Sequence, residues 1–490
     1  MSPPSHPFFW GASTSGYQHE GGYNGPGQPQ NNWSEWERSG RVETTGRSID
    51  FWNRFPEDLD RAAALGLNSF RIGLEWTRLQ PEPKTRPDGR PQLEPQAVQR
   101  YGEILVACRQ RGLEPLVTLL HFTHPAWMGA DPWLDPEMPT RFEKFVREAV
   151  EQINEAMITK GEDPVRWWLT INEPNMLVLN AYLSRTFPAG PRTGVAPLIQ
   201  AITHLLVSHI RAYRAVHAVY EKADWERPQV SFNNYASDLY WMDKMMTDLV
   251  SAPHLGVLRG DLAWWLVGRA RRFNERFDKA KLPLTKTLPY WMGWLIKRLL
   301  DGFGHRILET GKLERMADAI YAEGHEMPLD YIAFDYYDPF VGNIFRLPRF
   351  EEMAQPGQSL RSRLLNSVTS KTWDWPALPQ GLSFFVHVYQ EDFAGKRIII
   401  AENGMARLRK KSWTRSWRRD QLRRSVYLDR HLAEVAKLIQ EQSPLAGYFH
   451  WSLTDNYEWG SYAPKFGLFE VDLQAEDLPR KAVDSAGLNA

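Results

Sequence analysis

The sequence predicts an α/β protein built as a single (β/α)8 TIM barrel, and three observations carry that expectation. Short β-branched or aromatic runs alternate with longer amphipathic segments eight times along the chain, the order that closes a parallel sheet on itself. The 490 residues suit one large barrel with long loops. No glycine-rich phosphate turn follows the first run, where "GASTSGYQHEGG" stands, and this disfavours an open doubly wound sheet.

The strand candidates come in order. "PFFWGAST" (7–14) is aromatic and opens the series, and "LNSFRIGLEW" (67–76) and "EPLVTLLHF" (114–122) follow. "RWWLTINE" (166–173) stops at Pro174, which ends ladder pairing and leaves Glu173 at the strand mouth. "QVSFNNYA" (229–236), "LDYIAFDYY" (329–337), "KRIIIAENG" (396–404) and "LAGYFHWSL" (445–453) complete the eight. Between them lie helical patterns such as "DPEMPTRFEKFVREAVEQINEAM" and "IQAITHLLVSHIRAYRAVHAVYEKA". No repeat or linker divides the chain, so residues 1–490 form one domain. The connection over about 237–328 is far longer than the rest and reads as an insertion between strands five and six, on the functional face.

Composition narrows the function. Hydrophobic residues make up 43%, ordinary for a globular core, but 21 tryptophans and 18 tyrosines point to an aromatic cleft, a lipid-facing surface, or both. Lys plus Arg and Asp plus Glu balance at 59 each, which argues against a polyanionic partner, nucleic acid included. The single Cys108 excludes an internal disulfide framework. The N-terminus lacks a basic-then-apolar leader, and no run approaches the ~20 apolar residues of a membrane span. A cytoplasmic protein is the expectation.

The strand ends carry the chemistry. Strand four ends at Glu173 and strand seven at Glu402, while Gln18, His121, Tyr337 and Trp451 lie at or just past other strand ends. In a barrel these termini share one mouth. Strand interiors avoid a carboxylate unless something uses or pairs it, and two of them among aromatics suit glycoside hydrolysis. One would arrive protonated and the other ionised. His121 and His124 lack further metal-ligating neighbours in the sequence, so no metal and no cofactor are expected, and His124 reads as structural.

These motifs resemble glycoside hydrolase family 1, the β-glucosidase and β-glycosidase family. "FFWGASTSGYQHEGG" is similar to its N-terminal signature, "TINEP" to its acid/base motif, "IAENG" to its nucleophile motif, and "HWSLTDNYEWGSYAPKFGLFEVD" to its eighth-strand segment. "RIGLEWTRLQP" and "HWSLTDNYEW" lean towards the archaeal-type branch. The resemblance implies Glu173 as acid/base and Glu402 as nucleophile of a retaining enzyme. It implies Gln18, His121, Asn172, Tyr337, Glu458 and Trp459 as sugar-binding residues, with Trp451 as a stacking floor. Arg71 and Tyr337 would orient Glu402 and keep it ionised; Arg71 has Glu75 as a competing partner on the same strand face. Serine usually replaces Glu458 in members acting on 6-phosphorylated sugars, so an unphosphorylated glycone is implied.

The sequence departs from the family pattern at "AFDYYDP", where Asp335 stands in place of the usual asparagine. Either Asp335 is an ionised third carboxylate that raises the pKa of Glu402 or Glu173, or it points to a separate donor. Trp375 is a further candidate without an assigned role. In the insertion, nine Lys or Arg over 264–300 face only Glu275 and Asp278, and "RLRKKSWTRSWRR" (407–419) follows strand seven. Basic residues among Trp and Leu suit peripheral contact with an anionic membrane and a lipid aglycone; a packed cap or oligomer contact is the alternative. A transglycosidase passing the sugar to a lipid or alcohol, and a binding protein that has lost catalysis, are the competing functions.

Overall fold

The computed structural model describes residues 7–283, 288–309, 311, 313–338, 377–408, 418 and 421–483. Eight parallel strands close into a barrel: β1 (Phe9–Ser13), β2 (Ser69–Gly73), β3 (Glu114–Thr118), β4 (Trp167–Asn172), β5 (Gln229–Tyr235), β6 (Ile332–Tyr336), β7 (Ile398–Asn403) and β9 (Leu445–Trp451), with β9 pairing back to β1. A two-residue strand, β8 (Arg407–Leu408), intervenes in sequence and pairs outside the barrel with Pro464–Lys465. Each barrel strand falls within a stretch predicted from sequence. The helical patterns become helices Met138–Ile158 and Val195–Ala223.

The strands are almost wholly buried and mainly apolar because both faces are covered. Phe9, Leu116, Trp167, Tyr331, Ile399 and Phe449 form a compact inner cluster. Trp167 meets Phe9 and Tyr331 edge-on at 5.2 and 5.3 Å. Full burial of each Leu, Ile or Phe in that plug contributes about 1.5–3 kcal/mol. Alternate residues such as Phe70, Ile72, Trp168, Val230, Phe334 and Ile400 belong instead to the large core shared with the helices. The plug gives the site at the carboxyl end of the strands a dry floor.

Ladder register slips between Leu169 and Asn172, between Phe334 and Asp335, and between Ile400 and Asn403. Such irregularities bend a strand and re-aim its next side chain. Each sits immediately before one of the three carboxylates of the mouth.

Within 237–328 the described residues form helices Lys244–Ser251, Leu262–Ala280, Leu288–Glu309 and Glu314–Ala322. Phe273 and Phe277 pack edge-on against Phe384, on the helix Gln380–Asp392 that leads into β7. A buried ion network reinforces the junction: Lys244 and Arg269 each bridge Asp248 and Asp392 at 2.6–2.8 Å. Burial pushes the Asp248 carboxyl up, and Lys244 and Arg269 together more than reverse it. Most of the basic stretch 407–419, and Trp375, lie outside the described residues. Cys108 is buried. Among the described residues no helix is long and apolar enough to cross a membrane.

Candidate active site

Glu173 owes its position to a break in the strand. Its φ of 39° is left-handed and it caps helix Pro174–Val178. Its N–H donates to the Asn233 carbonyl at 2.8 Å, which ties the turn to β5. Pro174 contributes no N–H, fits the first helical position and ends the ladder. A strand-end carboxylate is thus turned into the mouth.

Glu402 arrives from β7 and is clamped on both oxygens. Arg71 Nη1 donates to Oε1 at 2.6 Å and the Tyr337 hydroxyl donates to Oε2 at 2.7 Å. Arg71 is wholly buried and spends its remaining donors on fixed partners: Nε on Thr118 Oγ1 at 2.9 Å and Nη2 on Asn172 Oδ1 at 2.6 Å. Glu75 is not its partner. Thr123 and Asn31 hydrogen-bond that carboxyl, and burial pushes its pKa to about 8, with the Glu20 charge adding to the rise. Burial also pushes the Glu402 carboxyl upward, against Arg71 first and Tyr337 second. The expected depression by these two neighbours is therefore present but outweighed by desolvation.

One carboxylate oxygen from each of Glu173, Asp335 and Glu402 lies within 4.8 Å of the other two. Oxygens that approach this closely suit the close pairing, ~5–5.5 Å between carboxyl groups, that permits direct attack, rather than the ~6.5–9.5 Å that admits a water. Among the described residues this is also the one acidic or histidine cluster compact enough to share a cation; Arg71 already supplies positive charge there.

Asp335 points to a separate donor, the second of the two sequence readings. It is 0% exposed, and Asn233 Nδ2 donates to its Oδ2 in a short hydrogen bond. Its carboxyl is nonetheless pushed well above the usual range, by burial first, then by the charges of Glu402 and Glu173. An ionised Asp335 that would itself raise its neighbours is thus disfavoured.

The sugar-side candidates surround this centre. Both Arg71 Nη2 and Asn233 Nδ2 donate to Asn172 Oδ1, the latter at 2.7 Å, which fixes the Asn172 amide. Its Nδ2 must then donate to His121 Nε2, 3.2 Å away. Burial, followed by the Arg71 charge, holds His121 neutral, so its proton resides on Nδ1. That atom is buried with no partner among the described residues. His121 stacks between Trp451 and Trp459, each centroid 5.8 Å away. Trp451 Nε1 donates to Glu458 Oε1 at 2.9 Å, and Gln18 Nε2 lies 3.4 Å from Oε2. His124, by contrast, is bound through Nε2 to the Gly129 carbonyl, as a structural histidine should be.

Sequence reasoning missed Asn233 and Thr118, which hold Asn172, Asp335 and Arg71 in place. An asparagine pair inside the apolar run "QVSFNNYA" was the available signal, since buried amides require partners.

The fold aligns with β-glucosidase structures from Thermotoga maritima. The castanospermine complex matches at TM-score 0.68 and 22% identity, covering 99% of this chain and 96% of that one. The deoxynojirimycin complex matches at TM-score 0.68 and 22% identity, covering 100% and 97%. A 6-phospho-beta-galactosidase of Clostridium acetobutylicum is 24% identical over 494 residues, covering 96% of this chain and 93% of the relative. The family described as Glycosyl hydrolase family 1 matches residues 3–266 and 294–488, leaving unmatched only the termini and 267–293 within the insertion. The chain therefore belongs to glycosyl hydrolase family 1.

Proposed function

We propose that this family member is a retaining β-glycosidase acting on unphosphorylated sugars, with Glu173 as acid/base and Glu402 as nucleophile. Glu173 donates its proton to the glycosidic oxygen while Glu402 attacks the anomeric carbon. Water then hydrolyses the resulting ester as Glu173 takes the proton back. The observation that carries the reading is the approach of the two carboxyl groups, with an oxygen of each within 4.8 Å of the other. The two-sided clamp on Glu402 supports it, because a nucleophile must be aimed as well as ionised.

Glu458 sets the glycone. Its carboxylate, hydrogen-bonded to Trp451, would repel a phosphate on the sugar, in contrast to what the name of the Clostridium relative implies for that protein. Aryl β-glucoside, galactoside, fucoside and mannoside, each assayed by proton NMR, test both points. The first-formed sugar is expected as the β-anomer, and 6-phospho-β-galactoside is expected to stay intact. An α-anomer first would sink the mechanism, and preferred cleavage of the phosphosugar would sink the Glu458 argument.

A second reading adds an apolar aglycone, lipid included, delivered by hydrolysis or by transfer to an alcohol. A cavity of about 100 Å³ lies behind helix Pro174–Val178, lined by Asn175, Val178, Trp241, Met246, Phe303 and Leu308. Trp264, Leu295, Leu299 and Phe303 of the inserted helices are exposed among basic residues, as an interfacial rim requires. Flotation with anionic vesicles at low salt is expected to carry the protein upward; its absence from the lipid fraction removes the rim.

A further inference from the structure

Three carboxyl groups share the floor of the mouth with one guanidinium, and the hydrogens do not suffice for three carboxylates. Glu402 has a donor on each oxygen. Asp335 has one donor, Asn233, on Oδ2. Its Oδ1 is buried with no N–H or O–H partner among the described residues. Arg71 Nη1 stands 3.9 Å from it, too far for a hydrogen bond, and is committed to Glu402 at 2.6 Å. The neighbour left for Asp335 is the carboxyl of Glu173, an oxygen of which lies within 4.8 Å of one of its own. Two buried carboxyl groups held that close can hydrogen-bond only when one carries a proton.

We infer that Asp335 is kept as the neutral acid and lends its O–H to Glu173, acting as a positioning residue for the acid/base and not as a third charge. This rests on Glu173 being the acid/base. The groups that face Asp335 agree. Among the described residues, Arg71 on β2 is the one cation there, Glu173 beyond β4 and Glu402 on β7 are acids, and Tyr235 on β5 and Tyr337 beyond β6 are phenols. Burial raises both phenols well above their usual range, so neither gives up a proton to charge the pocket. One negative charge, on Glu402, then balances Arg71. When Glu173 passes its proton to the leaving oxygen, the O–H of Asp335 is already aimed at the carboxylate that forms. A donor to the charged form favours that form, so Asp335 makes Glu173 the stronger acid during glycosylation.

Asp335→Asn and Asp335→Leu separate the possibilities on an aryl β-glycoside. The asparagine keeps a donor and never ionises; the leucine keeps neither property. For D335N, kcat is expected to fall several-fold, far less than for D335L because the amide keeps a donor, with both limbs of the kcat/KM–pH profile within about half a unit of wild type. For D335L, with melting temperature checked, kcat is expected to fall about 100-fold, the low end of what general acid catalysis contributes. Had Asp335 been ionised, its removal would shift both limbs acidward by about 1 unit or more. That shift, or a folded D335L as active as D335N, overturns the inference. The infrared difference between wild type and D335N at neutral pH decides independently of folding in D335L. Loss of a protonated-carboxyl C=O band supports the inference and its absence refutes it. If wild type cleaves no aryl β-glycoside, the glycosidase reading fails, while the infrared band still reports the state of Asp335.

Discussion

Glu402→Ala is expected to lower kcat on every aryl β-glycoside by about 10⁵-fold or more, the scale seen when a covalent nucleophile is removed. That corresponds to about 7 kcal/mol of transition-state stabilisation at 1.36 kcal/mol per decade. The loss has two parts. The bond-forming oxygen is gone, and Arg71 and Tyr337, aimed at its two oxygens from 2.6 and 2.7 Å, are left pointing into a void. Added azide should fill that space, restore part of the rate and yield the α-glycosyl azide, because attack from the nucleophile's side inverts the anomeric centre. Near-wild-type activity in the variant would end the assignment. In the wild type, Glu402 must be deprotonated to attack. Burial raises its carboxyl above the ordinary glutamate range, so activity should rise with pH through that raised value, and the acid limb should lie correspondingly high.

Glu173→Ala is expected to separate substrates by leaving group. Alkyl β-glycosides, whose alkoxide needs a proton to depart, should lose about 10²–10⁴-fold in kcat/KM, the usual share of general acid catalysis. Dinitrophenyl β-glycosides, whose phenolate leaves unaided, should lose far less in that step and accumulate the glycosyl-enzyme, since the base for the second step is missing too. Azide should here give the β-glycosyl azide, from attack on the ester, the opposite anomer to the Glu402 variant. The alkaline limb should also vanish: activity falls as pH rises because Glu173 loses the proton it must donate, and alanine has none to lose. Equal losses across leaving groups would transfer the acid role elsewhere.

Much of this molecule was legible in the linear chain for one physical reason: a parallel barrel strand is covered on both faces and therefore reads as a short continuous apolar run. "IIIA" before Glu402 and "WWLTI" before Asn172 mark where strands run, and Pro174 marks where one must stop. Both catalytic candidates could be placed at strand ends, and strand ends of a closed barrel converge. The direction of Glu402 could not be read in the same way. Ile399 and Ala401 belong to the inner plug and Ile398 and Ile400 to the outer core, so strict alternation sends Glu402 outward. The register slip after Ile400 turns it into the mouth. Arg71 likewise had Glu75 four residues away in sequence and takes Glu402, 331 residues away. Thr118 carried no sequence signal and Asn233 only an asparagine pair in an apolar run, although they hold the guanidinium and the amide that hold the site. Period and composition determined which segments became strands and which acids stood at their ends. The aim of each side chain, its partners, and the rise of Asp335 above the usual carboxyl range were decided by cross-strand register and by how many charges one dry pocket sustains.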